Sequence, residues 1–200
     1  MRNYTTFLFL MIGLARFSAV QAQKRFRPGY LVLQRGDTVR GVLEAPTRNT
    51  VARGVILRKS DKPTDEVFYP VKEIRSLRFT EGKTYVVRKM LPVMLHDTLR
   101  LLLEPLVQGN ANLYRSGYSL YSNGTDEVFA NQFSLIYYYI ESSANLNRPP
   151  YLLQTNTFRQ ALGMLFSNCS TAPAVTGKFN EANLIRLVRQ YNTCTTPVPR

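Results

Sequence analysis

A chain of 200 residues with 44% hydrophobic and 20% charged residues has the composition of a folded protein of one or two domains, which excludes disorder as its main state. Two cysteines, one histidine and no tryptophan exclude a Cys/His zinc site, a c-type haem attachment and a dense disulfide scaffold. The 26 Lys and Arg against 13 Asp and Glu give a formal charge of +13, which favours anionic partners or surfaces.

The N-terminus reads as an export signal over residues 1–22. Arg2 supplies the positive region, Phe7 to Ala15 form the apolar run, and Val20-Gln21-Ala22 places small residues at −3 and −1 of a cleavage site. A transmembrane helix needs about 20 apolar residues, and Arg16 ends this run well short of that. The expectation is therefore an exported protein, in the periplasm, at the outer membrane or outside the cell. Residues 23–100 carry +9 and residues 101–200 carry +2, so a surface for a polyanion belongs to the first half. Its candidate contacts are Arg40, Arg53, Arg58, Lys59, Arg75 and Arg78. The alternative for these residues is a solvated basic face that keeps the protein in solution.

Between Gly29 and Arg88 the hydrophobic period is two. Tyr30 to Leu33 and Thr38 to Glu44 flank the turn signal Arg35-Gly36-Asp37 and read as a hairpin. Further strands are expected at 54–58, 66–69, 76–79 and 84–87, and Gly41 within a strand marks a bend. Short strands at this spacing predict a small SH3-like barrel or a strongly curved sheet over residues 23–95. A β-meander follows over 96–148. Its first strand, Leu99 to Glu104, is expected to lie at an edge or to carry a bulge at Pro105, which has no ladder donor. Gln108-Gly109-Asn110 and Asn123-Gly124 are turns, and Phe133 to Ile140 is apolar or aromatic at nearly every position, as a strand covered on both faces would be.

After Pro149-Pro150 the period changes. Phe158, Ala161, Leu162 and Leu165 fall on one helical face, with Thr157 and Gln160 at the spacing of a capping box. Asn180 is the N-cap of a second helix, with Phe179 and Leu184 as a hydrophobic staple. The fold class is thus α+β: antiparallel β in the first three quarters, a two-helix segment over 151–194 and a frayed tail from 195. Cys169 and Cys194 follow the two helices. In an oxidising compartment such a pair is expected to be bridged, and the competing reading, a reactive thiol, lacks a neighbouring base in the sequence.

Gly36-Asp37-Thr38-Val39-Arg40-Gly41-Val42-Leu43 is similar to the first strands of Sm-like barrels, and Ile74-Arg75-Ser76 to that family's second motif. The resemblance implies barrel shape; Ser76 stands where that family has glycine, and RNA binding is not implied. Over nearly the whole chain, Gly29-Tyr30, Gly36-Asp37-Thr38, Leu106-Val107-Gln108-Gly109, Leu113-Tyr114, Cys169 and Tyr191-Asn192-x-Cys194 resemble an uncharacterised family of signal-peptide-bearing envelope proteins of Gram-negative bacteria. In some of those relatives the module precedes an outer-membrane β-barrel. The resemblance implies a shared fold and a place in the envelope, and it carries no activity.

His96 is the sole imidazole, so an envelope hydrolase, the alternative function, would have to be built around it. The pairs Asp65-Glu66 and Asp126-Glu127 are neighbours on strands and point to opposite faces, which prevents joint acid–base work. No GxSxG, HExxH, P-loop or GxGxxG occurs, and no cofactor or metal is implied. Tyr114, Tyr118, Tyr121 and Tyr137 to Tyr139 form an aromatic cluster that suits an interface or, equally, cross-strand packing. The function expected is an exported binding or scaffolding module for an anionic envelope polymer or a partner protein, with nucleic acid disfavoured by export.

Overall fold

The computed structural model describes residues 26–47, 50–60, 63–90, 99–117, 136–143, 146, 148–167, 169 and 171–194. The expected signal peptide, His96, Tyr118, Tyr121, Asp126-Glu127, the turn at Asn123-Gly124 and the C-terminal tail lie outside these residues.

Alternating apolar residues form the first strands: β1 (Phe26–Leu33), β2 (Thr38–Glu44), β3 (Gly54–Arg58), β4 (Glu66–Pro70), β5 (Ile74–Phe79) and β6 (Thr84–Met90). β1 returns to β5, so the order here is β6-β5-β1-β2-β3-β4, antiparallel throughout. A 3-10 turn, Val71–Glu73, carries the chain from β4 back to β5. The strands curl around Leu31, Leu43, Leu57, Ile74 and Leu77, all fully buried. Of the two expected forms, the described residues give the curved sheet, because β4 is left as an edge without a ladder to β5. Glycine makes the curl possible. Gly29 and Gly41 are direct cross-strand partners, and a Cβ on either would sit 2.4 Å from a carbonyl oxygen of the next strand, that of Arg78 or Arg58.

The sheet continues without a break through β7 (Leu99–Val107), β8 (Ala111–Ser116), β9 (Tyr137–Ser142) and β10 (Tyr151–Leu153). Pro105 sits inside β7, and the expected irregularity takes the form of a bulge: the β7–β8 register shifts between Pro105 and Val107. β7 is a central strand, not an edge.

Helices α1 (Phe158–Phe166) and α2 (Glu181–Asn192) cover one face of this half of the sheet. Leu113, Tyr138, Ile140 and Leu153 pack there with Phe158, Leu162, Leu184 and Leu187, while Tyr114, Tyr139 and Leu152 face the first core. That double coverage explains why Tyr137 to Ile140 show no alternation. The strand also runs two residues further than its apolar run, to Ser142, which takes Glu141 into the interior.

Asn180 caps α2 as expected, accepting from the Asn183 N–H at 2.9 Å. The Thr157–Gln160 capping box does not form. Thr157 stands at the N-cap of α1 in helical conformation, and its hydroxyl is buried without a partner. Arg115 ties α2 to the sheet, bonding Glu104 at 2.9 Å and Glu181 at 3.0 Å. Cys169 and Cys194 are bridged, with Cα atoms 6.1 Å apart, and join the ends of the two helices. No helix among the described residues is long and apolar enough to cross a membrane.

Candidate anion-binding site

Three strand segments and one connection converge on a pocket of about 490 Å³ lined by Arg75, Arg88, Lys89, Arg100 and Arg148, with no carboxylate among its lining residues. Arg75 reaches it through a bulge. Val32 pairs with Ser76 and Leu33 with Ile74, so Arg75 is the extra residue of β5, and a bulge of this kind re-aims a side chain. Lys89 of β6 lies directly opposite Arg100 of β7. Like charges so placed repel, and the sheet keeps them side by side at the pocket. Arg148 enters from the connection between β9 and β10, held by Pro149 and Pro150. Arg75, Lys89, Arg100 and Arg148 have no carboxylate partner among the described residues.

Arg88 is different, because its charge is already matched. Its Nε donates to Glu141 Oε1 at 2.9 Å, and its Nη2 donates to the Tyr114 hydroxyl at 2.9 Å. That hydroxyl in turn donates to Glu141 Oε1, which also accepts from Asn112 Nδ2 at 3.3 Å. The Glu141 side chain is 2% exposed and that of Arg88 29%, so the pair is buried at one end and open to the pocket at the other. Burial lowers the Arg88 guanidinium, but Tyr114 and Glu141 outweigh this and raise it above its ordinary value. Burial, followed by the hydrogen bond to Glu141, pushes the Tyr114 hydroxyl well above its ordinary value. Arg88 therefore stays a cation, and Tyr114 stays protonated as the link that fixes it.

Of the basic residues singled out in the sequence, Arg75 alone enters this pocket. Arg40 and Arg78 flank Tyr30 across β2-β1-β5 on the outer face of the curl. Arg58 lies on that face with its charge engaged: it bonds Glu66 through Nε at 2.8 Å and Nη2 at 2.6 Å, and stacks 3.6 Å from the centre of the Phe26 ring. Arg53 and Lys59 are exposed on either side of β3. Tyr114 is wholly buried and reaches the pocket only through its hydrogen bond with Arg88. Arg88, Lys89, Arg100 and Arg148 were not singled out. The β6–β7 register would have revealed the Lys89–Arg100 opposition, but that register is not fixed by the sequence alone because no short turn joins the two strands.

Among the described residues no group of three His, Cys, Asp or Glu is placed to hold a metal. No protein-family model, no curated protein and no solved structure matches the chain.

Proposed function

We propose that the protein is an exported anion-binding module of the cell envelope, and that its ligand presents phosphate or carboxylate groups to the pocket between β5, β6, β7 and Arg148. The observation that carries this reading is four cations without described partners around one concave site, two of them opposed across a ladder. Arg88, next to Lys89 in β6 and also bordering the site, is locked by Glu141 and Tyr114, so its position is preorganised and its charge cannot be lost near neutral pH. The signal-peptide pattern and the Cys169–Cys194 bridge support an oxidising compartment. The resemblance to envelope proteins supports the same location, and export turns the choice of polyanion away from nucleic acid towards surface polymer.

The test is binding of a linear polyphosphate at low salt to two charge-matched variants. Arg75→Ala/Arg100→Ala should weaken binding at least about tenfold, a loss of roughly 1.4 kcal/mol. Repeated at physiological salt, where exposed charges are screened beyond about 8 Å, the comparison should show Arg40→Ala/Arg78→Ala, which removes the same charge from the outer face, weakening binding less than about threefold. Equal losses in the two variants would mean that net charge, and not the pocket, binds the polymer.

A further inference from the structure

Beside the cationic pocket lies a second cavity of about 640 Å³, within the size range of small-ligand sites. The two share Arg148 and Pro149 in their walls. The second is largely apolar, formed by Ile140, Leu165, Tyr151 and Met164, the last two 54% and 71% exposed. Glu141 and Thr157 are also among its lining residues, and Glu141 Oε2 and Thr157 Oγ1 are both buried without a hydrogen-bond partner. Two such atoms among the residues of one wall are unusual, because buried polar groups are nearly always paired. Glu141 is thus two-sided: Oε1 is saturated by Arg88, Tyr114 and Asn112, whereas Oε2 has an acceptor's capacity left over.

We infer that the two cavities form one site for an anionic amphiphile, with its phosphate or carboxylate head among Arg75, Lys89, Arg100 and Arg148 and its apolar arm against Met164, Leu165 and Tyr151. A hydroxyl beside the head donates to Glu141 Oε2 and accepts from the Thr157 hydroxyl. This rests on the anion-binding reading above and specifies its ligand class. The head is placed by charge complementarity, the arm by the apolar wall that adjoins it, and the linker hydroxyl by the two orphaned atoms. The occupant is a single free molecule rather than a membrane surface, because the arm enters a cavity.

Calorimetric titration of the full, oxidised chain tests this with inorganic phosphate and with butyl, hexyl and octyl phosphate below their micelle concentrations. Each buried methylene should tighten binding up to about fourfold, and octyl phosphate should bind at least about tenfold more tightly than inorganic phosphate. Tyr151→Ser/Met164→Gln changes two residues that are more than half exposed, so the fold should tolerate it. It should cut that gain at least threefold without altering the affinity for inorganic phosphate. Thr157→Val should weaken a lysophosphatidic acid, which has a hydroxyl beside its phosphate, at least fivefold, and leave octyl phosphate unchanged. Binding of phosphate without any chain-length gain overturns the amphiphile site and leaves the anion reading standing. Absence of binding by every phosphate and polyphosphate overturns both. A gain that survives Tyr151→Ser/Met164→Gln, or retention only by phosphatidic acid vesicles, places the apolar contact outside the cavity and also overturns it.

Discussion

Replacing Arg88 by Met isolates the energetics of the Arg88–Glu141 pair. The substitution keeps side-chain length and apolar contact with the Tyr114 ring, whose centre lies 5.4 Å from the guanidinium, while removing the charge. It leaves Glu141, whose side chain is 2% exposed, with only the Tyr114 hydroxyl and Asn112 as donors. Removing one partner of a buried ion pair costs about 3–5 kcal/mol, because the remaining charge is left uncompensated. Arg88 is 29% exposed and water already reaches it, so the lower end applies, about 3 kcal/mol. At about 2–4 °C per kcal/mol for a domain of this size, the melting temperature should fall by roughly 6–12 °C.

Adding Glu141→Gln to Arg88→Met should restore stability. The amide keeps an acceptor for Tyr114 and Asn112 and removes the stranded charge, so the double variant should recover at least about 2 kcal/mol of the loss. Urea denaturation with the disulfide intact reads both changes as midpoints at constant slope. A loss below about 1 kcal/mol in Arg88→Met, or a double variant less stable than the single one, would refute the picture of Glu141 as a buried charge held by Arg88.

Three other outcomes follow from particular contacts. Cys169→Ser/Cys194→Ser opens a loop of sequence separation 25, which on the chain-entropy model costs about 3.5 kcal/mol, and unchanged urea stability would remove the bridge's structural role. Asn192→Ala frees Ala111, whose buried N–H and C=O are held by the Asn192 side chain at 2.7 and 2.9 Å; a loss of about 2 kcal/mol and faster hydrogen exchange at that amide are expected, and normal protection would contradict the clamp. Tyr114 has a hydroxyl pKa raised above its ordinary 10.0, so its contribution to stability is complete below pH 10 and is lost as pH rises further. Stability should therefore fall more steeply above pH 10 in the native chain than in Tyr114→Phe, and equal slopes by denaturation would refute this.

Most of the fold was legible because local rules agree with it. The hairpin around Gly36, the strands at 54–58 and 84–87, and the Asn180 cap each depend on neighbours in sequence, and each forms where the pattern places it. The misreadings have tertiary causes. Thr157 has the spacing of a cap but takes a helical backbone conformation, so its hydroxyl turns from the helix end. β9 extends past Ile140 because Glu141 finds Arg88, Tyr114 and Asn112 waiting in the interior, and the donors come from β6 and β8. A glutamate after four apolar residues reads as a strand end unless those partners are known.

The candidate site was only partly legible for a related reason. Its cations lie at positions 75, 88, 89, 100 and 148, scattered along the chain, and of the basic residues that stood out in the first half Arg75 alone is among them, while Arg40, Arg58 and Arg78 fall on the outer face of the curl. What marks the pocket physically is where the sheet departs from its own rules. The bulge at Arg75 interrupts a ladder, and the Lys89–Arg100 pair sets like charges opposite each other. Either alone is an ordinary local irregularity. Both border the same cavity, where a buried glutamate neutralises one of the five lining cations, Arg88, and leaves four. Local costs that converge on one concave surface are more economically explained by a ligand that offsets them than by two independent accidents of sheet packing. An anion between Lys89 and Arg100 would turn their repulsion into two attractions, so the energetic fault in the free sheet becomes the source of affinity in the complex.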